Sequence, residues 1–348
     1  MASRTTDFLK ERIDFSPVRG WIARRKVPQH KHSFWYYFGG LALFVLTVQI
    51  ITGIMLAFYY SPTPVNANES VRYIMEKVHY GWLIRSIHFW GANFLIAVVL
   101  VHMFSTYFMK AYRKPREIMW VLGVIILALI LTSAFTGYLL PWTTLSYFAT
   151  KIGTSMPLYV PFVGHFISRL MVGGADVGAA TLTRMFTLHT IVLPILWLTF
   201  IAIHVFLSQV LGLSTPVSQL AARNETKLFP NFMMRQAAVW SGALAVLISF
   251  VAIFPEGLAA KVNPVLPAPA GIKPEWYFLF VFQTLRTFPD VIGLGGITLG
   301  AIIWMLVPFL DRKASNGEKS TFFTLFGVAI IVYLVTMTVM AYITTEVH

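Results

Sequence analysis

Four histidines lie inside two of the most apolar stretches of this chain. His88 and His102 sit in the run 81–109, and His189 and His204 in the run 186–211. A polar ring inside a membrane span is costly unless it has a partner. His88 and His102 are 14 residues apart, just under four helical turns. On a helix they share a face to within about 40° and stand roughly 21 Å apart along the axis. The 15-residue spacing of His189 and His204 leaves about 60° between them, still broadly one face. Two helices carrying two imidazoles each can hold two metal centres, one near each membrane surface. A hydrogen bond to neighbouring backbone is the alternative for any single ring; two pairs at nearly equal spacing weigh against it. The pairing suits iron in haem, whose two axial positions take one imidazole from each of two facing helices. Zinc wants three or four ligands clustered together. With both axial positions filled, the iron has no open position for oxygen, and the chemistry is electron transfer through two haems in series.

Glycines repeat the spacing. Gly39 and Gly53 lie in one apolar run, Gly123 and Gly137 in another, each pair 14 apart. Glycine lets a flat macrocycle approach the backbone closely; small-residue packing between spans is the other reading of one such pair. Arg85 precedes His88 by three residues and Arg184 precedes His189 by five. Either arginine could pair a haem propionate bidentately or snorkel to the membrane interface. The last candidate is Glu275 in the tetrapeptide Pro274–Tyr277, PEWY. A carboxylate on a non-helical segment between apolar spans can accept a proton from a hydroquinone, or it can be a solvated loop acid. Pro274 and Tyr277 belong with it, the proline by holding the segment off the helical path and the tyrosine as packing around the carboxyl.

The elements that must position these groups follow from composition. The chain is 57% hydrophobic and 12% charged, which marks an all-α polytopic membrane protein. Its first 33 residues are polar and basic, without the short apolar core of a signal peptide. Cysteine is absent, so this chain supplies no disulfide, iron–sulfur ligand, thiol nucleophile or thioether link to haem. Seven apolar runs read as spans, over about 33–60, 81–109, 116–140, 186–211, 236–254, 291–310 and 321–343. Short surface helices are expected over 143–153 and 277–286. The division is a basic surface segment 1–33, a four-helix di-haem bundle 34–211 and a three-helix part 212–348 carrying PEWY.

The net charge of +13 could signal nucleic acid, but topology explains it better. An alternating seven-span path puts eighteen Lys and Arg on one side and nine on the other, with acidic residues split seven and seven. The richer side, which includes the N-terminus, is then cytoplasmic (the N side). The other surface is the P side. His88, His189, Gly53 and Gly137 fall near the P side; His102, His204, Gly39 and Gly123 fall near the N side.

The chain resembles cytochrome b of the bc1/b6f superfamily over essentially its full length. The resemblance rests on Gly39–Gly40 with Gly53, the two histidine pairs, GYLLPW at 137–142, TLTRMFTLHT at 181–190 and PEWYFLFVFQTLRTFP at 274–289. The 15-residue spacing of the second pair resembles the b6 type. Seven spans look like four-span cytochrome b6 and three-span subunit IV joined in one bacterial chain. The resemblance implies a quinol:cytochrome c (or plastocyanin-type acceptor) oxidoreductase subunit in the bacterial inner membrane, working by a Q-cycle. It implies two haem b groups, a quinone substrate, a Rieske iron–sulfur protein, a c-type cytochrome subunit and a homodimeric complex. His88 and His189 match the P-side haem ligands, His102 and His204 the N-side ones, Arg85 and Arg184 propionate partners, and Glu275 the quinol proton acceptor. There are departures. Tyr37 stands where the b6 type has the cysteine that links an extra haem, so no covalent haem is expected. Ser105 replaces an arginine, leaving Lys110 or Arg113 as candidate N-side propionate partners, and Gln209 replaces another arginine near the N-side quinone site. The rivals are a di-haem b anchor of a dehydrogenase or hydrogenase, which needs no PEWY, and a non-redox transporter with structural histidines.

Overall fold

The computed structural model describes residues 8, 12, 14, 16–160, 162–216, 219 and 224–344. Much of the basic segment 1–15 and part of the polar loop after the fourth span lie outside the described residues. Seven helices are long and apolar enough to cross a membrane. After a short helix α1 (Ser16–Arg24) and a strand β1 (Lys26–Gln29), α2 (Tyr37–Ala57) is the first of them. A short helix α3 (Ala67–Glu76) leads into α4 (Gly81–Phe108), and α5 (Glu117–Tyr138) follows a short turn. Short helices α6 (Thr144–Ser155) and α7 (Gly164–Val172) occupy the long connection to α8 (Ala179–Leu211). Strand β2 (Asn224–Lys227) precedes α9 (Met233–Ile253), then α10 (Leu279–Thr287), α11 (Asp290–Leu310) and α12 (Thr321–Ile343).

The first four spans form the bundle. Helix α2 packs on α4, α8 on α5, and α4 on α5. Their core takes residues from every member: Val45 and Leu46, Leu95 and Ile96, Ile126 and Ile130, Leu193 and Trp197, joined by Tyr277 from the C-terminal part. Around the bundle, α9 lies against α2 and α4, α11 against α5, and α12 against α10 and α4. An aromatic cluster of Tyr107, Tyr112, Trp120 and Trp304 joins the end of α4 and the start of α5 to α11. In it the Trp120 indole donates to the Trp304 carbonyl at 2.9 Å, and the Tyr112 hydroxyl donates to the buried Asp311 carboxylate at 2.7 Å.

Two features differ from the sequence expectation. The fourth span starts at Ala179, seven residues before the apolar run. In its polar first turns Thr183 and Thr187 turn their hydroxyls back onto the carbonyls of Ala179 and Thr183, a contact that lets threonine sit inside a helix at a small cost. The all-α architecture also carries one small sheet. Strands β1 and β2 pair antiparallel, Lys26 opposite Lys227 and Gln29 opposite Asn224, with a Lys26–Glu225 ion pair at 3.1 Å. Neither four-residue strand shows apolar alternation, so only their juxtaposition by the folded bundle defines them.

Candidate electron-transfer and proton-accepting sites

The P-side pair is assembled. His88 from α4 and His189 from α8 face each other with ring centroids 6.1 Å apart and planes at 83°. Two imidazoles bonded at about 2 Å to one intervening metal ion need roughly this centroid separation. The far edge of each ring is pinned. His189 Nδ1 lies 2.8 Å from the Ser133 carbonyl, which can only accept, so Nδ1 carries the proton and Nε2 keeps its lone pair. His88 Nδ1 lies 3.0 Å from the Thr52 hydroxyl. That hydroxyl donates to the Val48 carbonyl at 2.7 Å, so it accepts from Nδ1–H and again leaves the Nε2 lone pair free. A hydrogen bond from the non-ligating nitrogen is the usual second contact of a metal-bound histidine.

The four glycines sit opposite the four rings. A Cβ added at Gly53 would come within 3.1 Å of His88 Cε1, and one at Gly137 within 2.5 Å of His189 Cε1. At the N side, a Cβ at Gly39 would meet His102 Cε1 at 3.0 Å and one at Gly123 would meet His204 Cε1 at 3.7 Å. His102 and His204 lie close enough to interact electrostatically. Among the described residues, no cluster of three or more His, Cys, Asp or Glu could hold a bare metal ion. Paired imidazoles set against bare backbone, with the outer nitrogens of His88 and His189 anchored, fit haem.

The arginines are engaged elsewhere. Arg85 donates from Nη1 to the Glu256 carbonyl at 2.7 Å and stands 4.0 Å from its carboxylate. Arg184 donates to the carbonyls of Arg169 and Leu170 at 3.1 and 2.6 Å. Of the N-side candidates, Lys110 lies over the rings of Tyr107 and Tyr112, and Arg113 donates to the carbonyls of Thr215 and Lys110. Tyr37 stacks on Phe232 at 4.8 Å, and Gln236 donates to its carbonyl. Ser105 turns its hydroxyl onto the His102 carbonyl.

The PEWY segment is extended at Glu275 (φ −56, ψ 151) and makes one tight turn over Trp276–Phe278 before α10. The Trp276 indole donates to Asn93 of α4 at 2.8 Å, and Tyr277 is buried in the bundle core. The segment meets the end of α5 through an edge contact of Phe278 with Phe135. The GYLLPW turn is tied to the same connection: Val262 N–H donates to the Trp142 carbonyl, and Thr144 N–H to the Ala260 carbonyl. Tyr138 lies within electrostatic reach of both Glu275 and Glu256. Burial, with the Glu256 carboxylate as a second push, raises the Glu275 pKa above the ordinary carboxylate range. Burial also raises that of Glu256, against the pull of Arg85. Sequence reasoning missed Glu256, although an acid closing a span opposite Arg85 was a readable signal. It also missed Asn93, Thr52 and Thr136; the Thr-Gly dipeptide repeated at 52–53 and 136–137 was the available clue to the last two.

Comparison with known proteins agrees in both halves. Residues 23–212 match the family described as cytochrome b/b6/petB, and residues 261–348 match cytochrome b (C-terminal)/b6/petD. The chain is 45% identical over 334 residues to the cytochrome bc complex cytochrome b subunit of Chlorobaculum thiosulfatiphilum, covering 94% of this chain and 78% of that one. It is 40% identical over 215 residues to cytochrome b6 of Euglena gracilis, covering 62% of this chain and all of the relative. A solved chain of a hyperthermophilic respiratory Complex III superposes with TM-score 0.87 at 30% identity, covering 98% of this chain and 92% of the other.

Proposed function

Because this chain belongs to the cytochrome b family, with b6-like and petD-like parts fused, we propose that it is the membrane electron-carrying subunit of a bc complex that oxidises quinol at the P side. The P-side imidazole pair, at 6.1 Å with both outer nitrogens anchored, carries this reading. Haem b bound between His88 and His189, and a second between His102 and His204, would supply one-electron transfer across the membrane. The chain's own residues do the rest. The histidines fix the depth and tilt of each centre, and Gly39, Gly53, Gly123 and Gly137 leave room for a flat group. Arg85 and Arg184 can swing from their carbonyl partners to propionates.

Quinol gives up two electrons and two protons. Glu275, ionised and partly desolvated, accepts one proton from one quinol hydroxyl, and the proton of the other leaves to P-side water. Tyr138 and Tyr277 lie within electrostatic reach of this carboxyl, Trp276 ties the segment to α4, and Pro274 keeps Glu275 off the helix. One electron leaves to a Rieske iron–sulfur partner and onward to a c-type cytochrome; the other crosses to an N-side quinone. The excess of Lys and Arg supports a cytoplasmic N-terminus in a bacterial inner membrane, and a homodimeric complex belongs to the same reading. A simple di-haem anchor would have no use for a desolvated carboxylate docked against α5. The purified chain should show dithionite-reducible b-type bands and two haems, and His102→Leu should keep only the P-side haem. Two haems retained in that variant would overturn the ligand assignment.

A further inference from the structure

The two centres are built from one template and differ in the residues beside the glycines. At the P side each glycine that faces a ring is preceded by threonine, Thr52–Gly53 on α2 and Thr136–Gly137 on α5. At the N side the corresponding residues are Phe38 before Gly39 and Leu122 before Gly123, and neither side chain carries a hydroxyl. The difference reaches the rings. The Thr52 hydroxyl lies 3.0 Å from His88 Nδ1 and is turned to accept, because its own proton goes to the Val48 carbonyl. Thr52 is buried, at 6% exposure, so water does not compete for the contact. Thr136 lies 3.5 Å from His189 Nδ1, beside the Ser133 carbonyl that holds that ring more closely. On the N side, His102 Nδ1 is buried without a hydrogen-bond partner.

We propose that Thr52, with Thr136 in a lesser role, is a positioning residue that lowers the reduction potential of the P-side centre below that of the N-side centre. The inference rests on the two-haem reading given above. An acceptor at Nδ1 draws the ring proton outward and makes the imidazole more basic at Nε2. A more basic axial ligand favours the ferric state, and hydrogen bonding outside the first coordination shell is one of the levers by which proteins set haem potentials. The consequence is directional. An electron entering at the P side then moves spontaneously to the N-side centre, so the hydroxyl on α2 contributes to the one-way path.

The test is a potentiometric titration of both haem bands in the purified complex, with the low-spin EPR signals as a second readout. Thr52→Val keeps the shape and removes the acceptor. Its P-side midpoint should rise and the P-side EPR signal should move, with the N-side midpoint unchanged. Thr52→Ser should restore the original value. The reciprocal variant, Phe38→Thr, supplies a hydroxyl at the matching position of α2, beside His102, and should lower the N-side midpoint. An unmoved P-side midpoint in Thr52→Val, an equal movement of both centres, or no downward shift in Phe38→Thr overturns the proposal. A chain that binds no b-type haem sinks the two-haem reading itself; two haems with unmoved potentials sink only the role of Thr52.

Discussion

Glu275 accepts a proton only when ionised, and burial and the Glu256 charge raise its pKa. Quinol oxidation should therefore fall as pH drops through that raised value, an acid limb lying above the ordinary carboxylate range. Glu275→Gln should lower the rate by about 10²-fold, within the range for losing one acid–base group, and abolish that limb with haem content unchanged. Glu256→Gln removes the second push and should move the limb to lower pH. Quinol:cytochrome c reductase activity against pH checks both; an unchanged profile in Glu275→Gln would take this residue out of the mechanism. The glycines give a sharper contrast. In the sequence all four look equivalent, since spacing carries depth but not distance. In space, a methyl at Gly137 lands 2.5 Å from a His189 ring that the Ser133 carbonyl prevents from swinging away, whereas one at Gly123 finds ordinary contact at 3.7 Å. Gly137→Ala should lose the P-side haem and keep the other; Gly123→Ala should keep both. Haem-to-protein ratios with the spectra of the two centres decide it.

Among the elements, α8 explains a mismatch that the sequence left standing. His189 and His204 are 15 residues apart, one more than His88 and His102. A π-turn over Leu188–Val192 takes up the extra residue, with Leu193 N–H reaching back to the Leu188 carbonyl. Pro194, with no N–H to offer the Thr190 carbonyl, sits just beyond it. A π-turn inserts one residue into an α-helix, so the pair is spaced as if 14 apart and matches α4. Deleting Ile191 together with Pro194→Ala should give a regular helix that still binds both haems. Deleting Leu198 instead leaves the π-turn in place, rotates His204 by about 100° against His189, and should lose the N-side haem. Haem content of the two deletions separates these outcomes. The seven spans were legible because apolar length decides them. The π-turn, the polar start of α8 and the β1–β2 pair were not, since each depends on hydrogen bonds that periodicity does not record.

At the scale of the whole molecule, the two family halves are bound by more than their connecting loop. Helix α9 packs on α2 and α4, Trp304 and Asp311 close on Trp120 and Tyr112, and Trp276 is bonded to Asn93. Cutting the chain between Pro216 and Asn224 and co-expressing the pieces should therefore yield a complex that co-purifies with both haems. Trp304→Ala in the divided protein should reduce recovery of the pair. Separation of the two pieces during purification would mean that the connecting loop, not the packing, unites them. Of the candidate site, the histidines and PEWY could be read from residue type; Asn93, which holds Trp276, could not, because it comes from the other half of the sequence, and Glu256 was readable only from its place at the end of a span opposite Arg85. The small sheet makes that distance a matter of timing. Strand β1 emerges from the ribosome before the first span, but β2, its partner, is translated only after the fourth. The N-terminal strand stays unpaired until the histidine-bearing helices are in the membrane, so its closure acts as a late seal, formed in synthesis order only after the first half has been inserted.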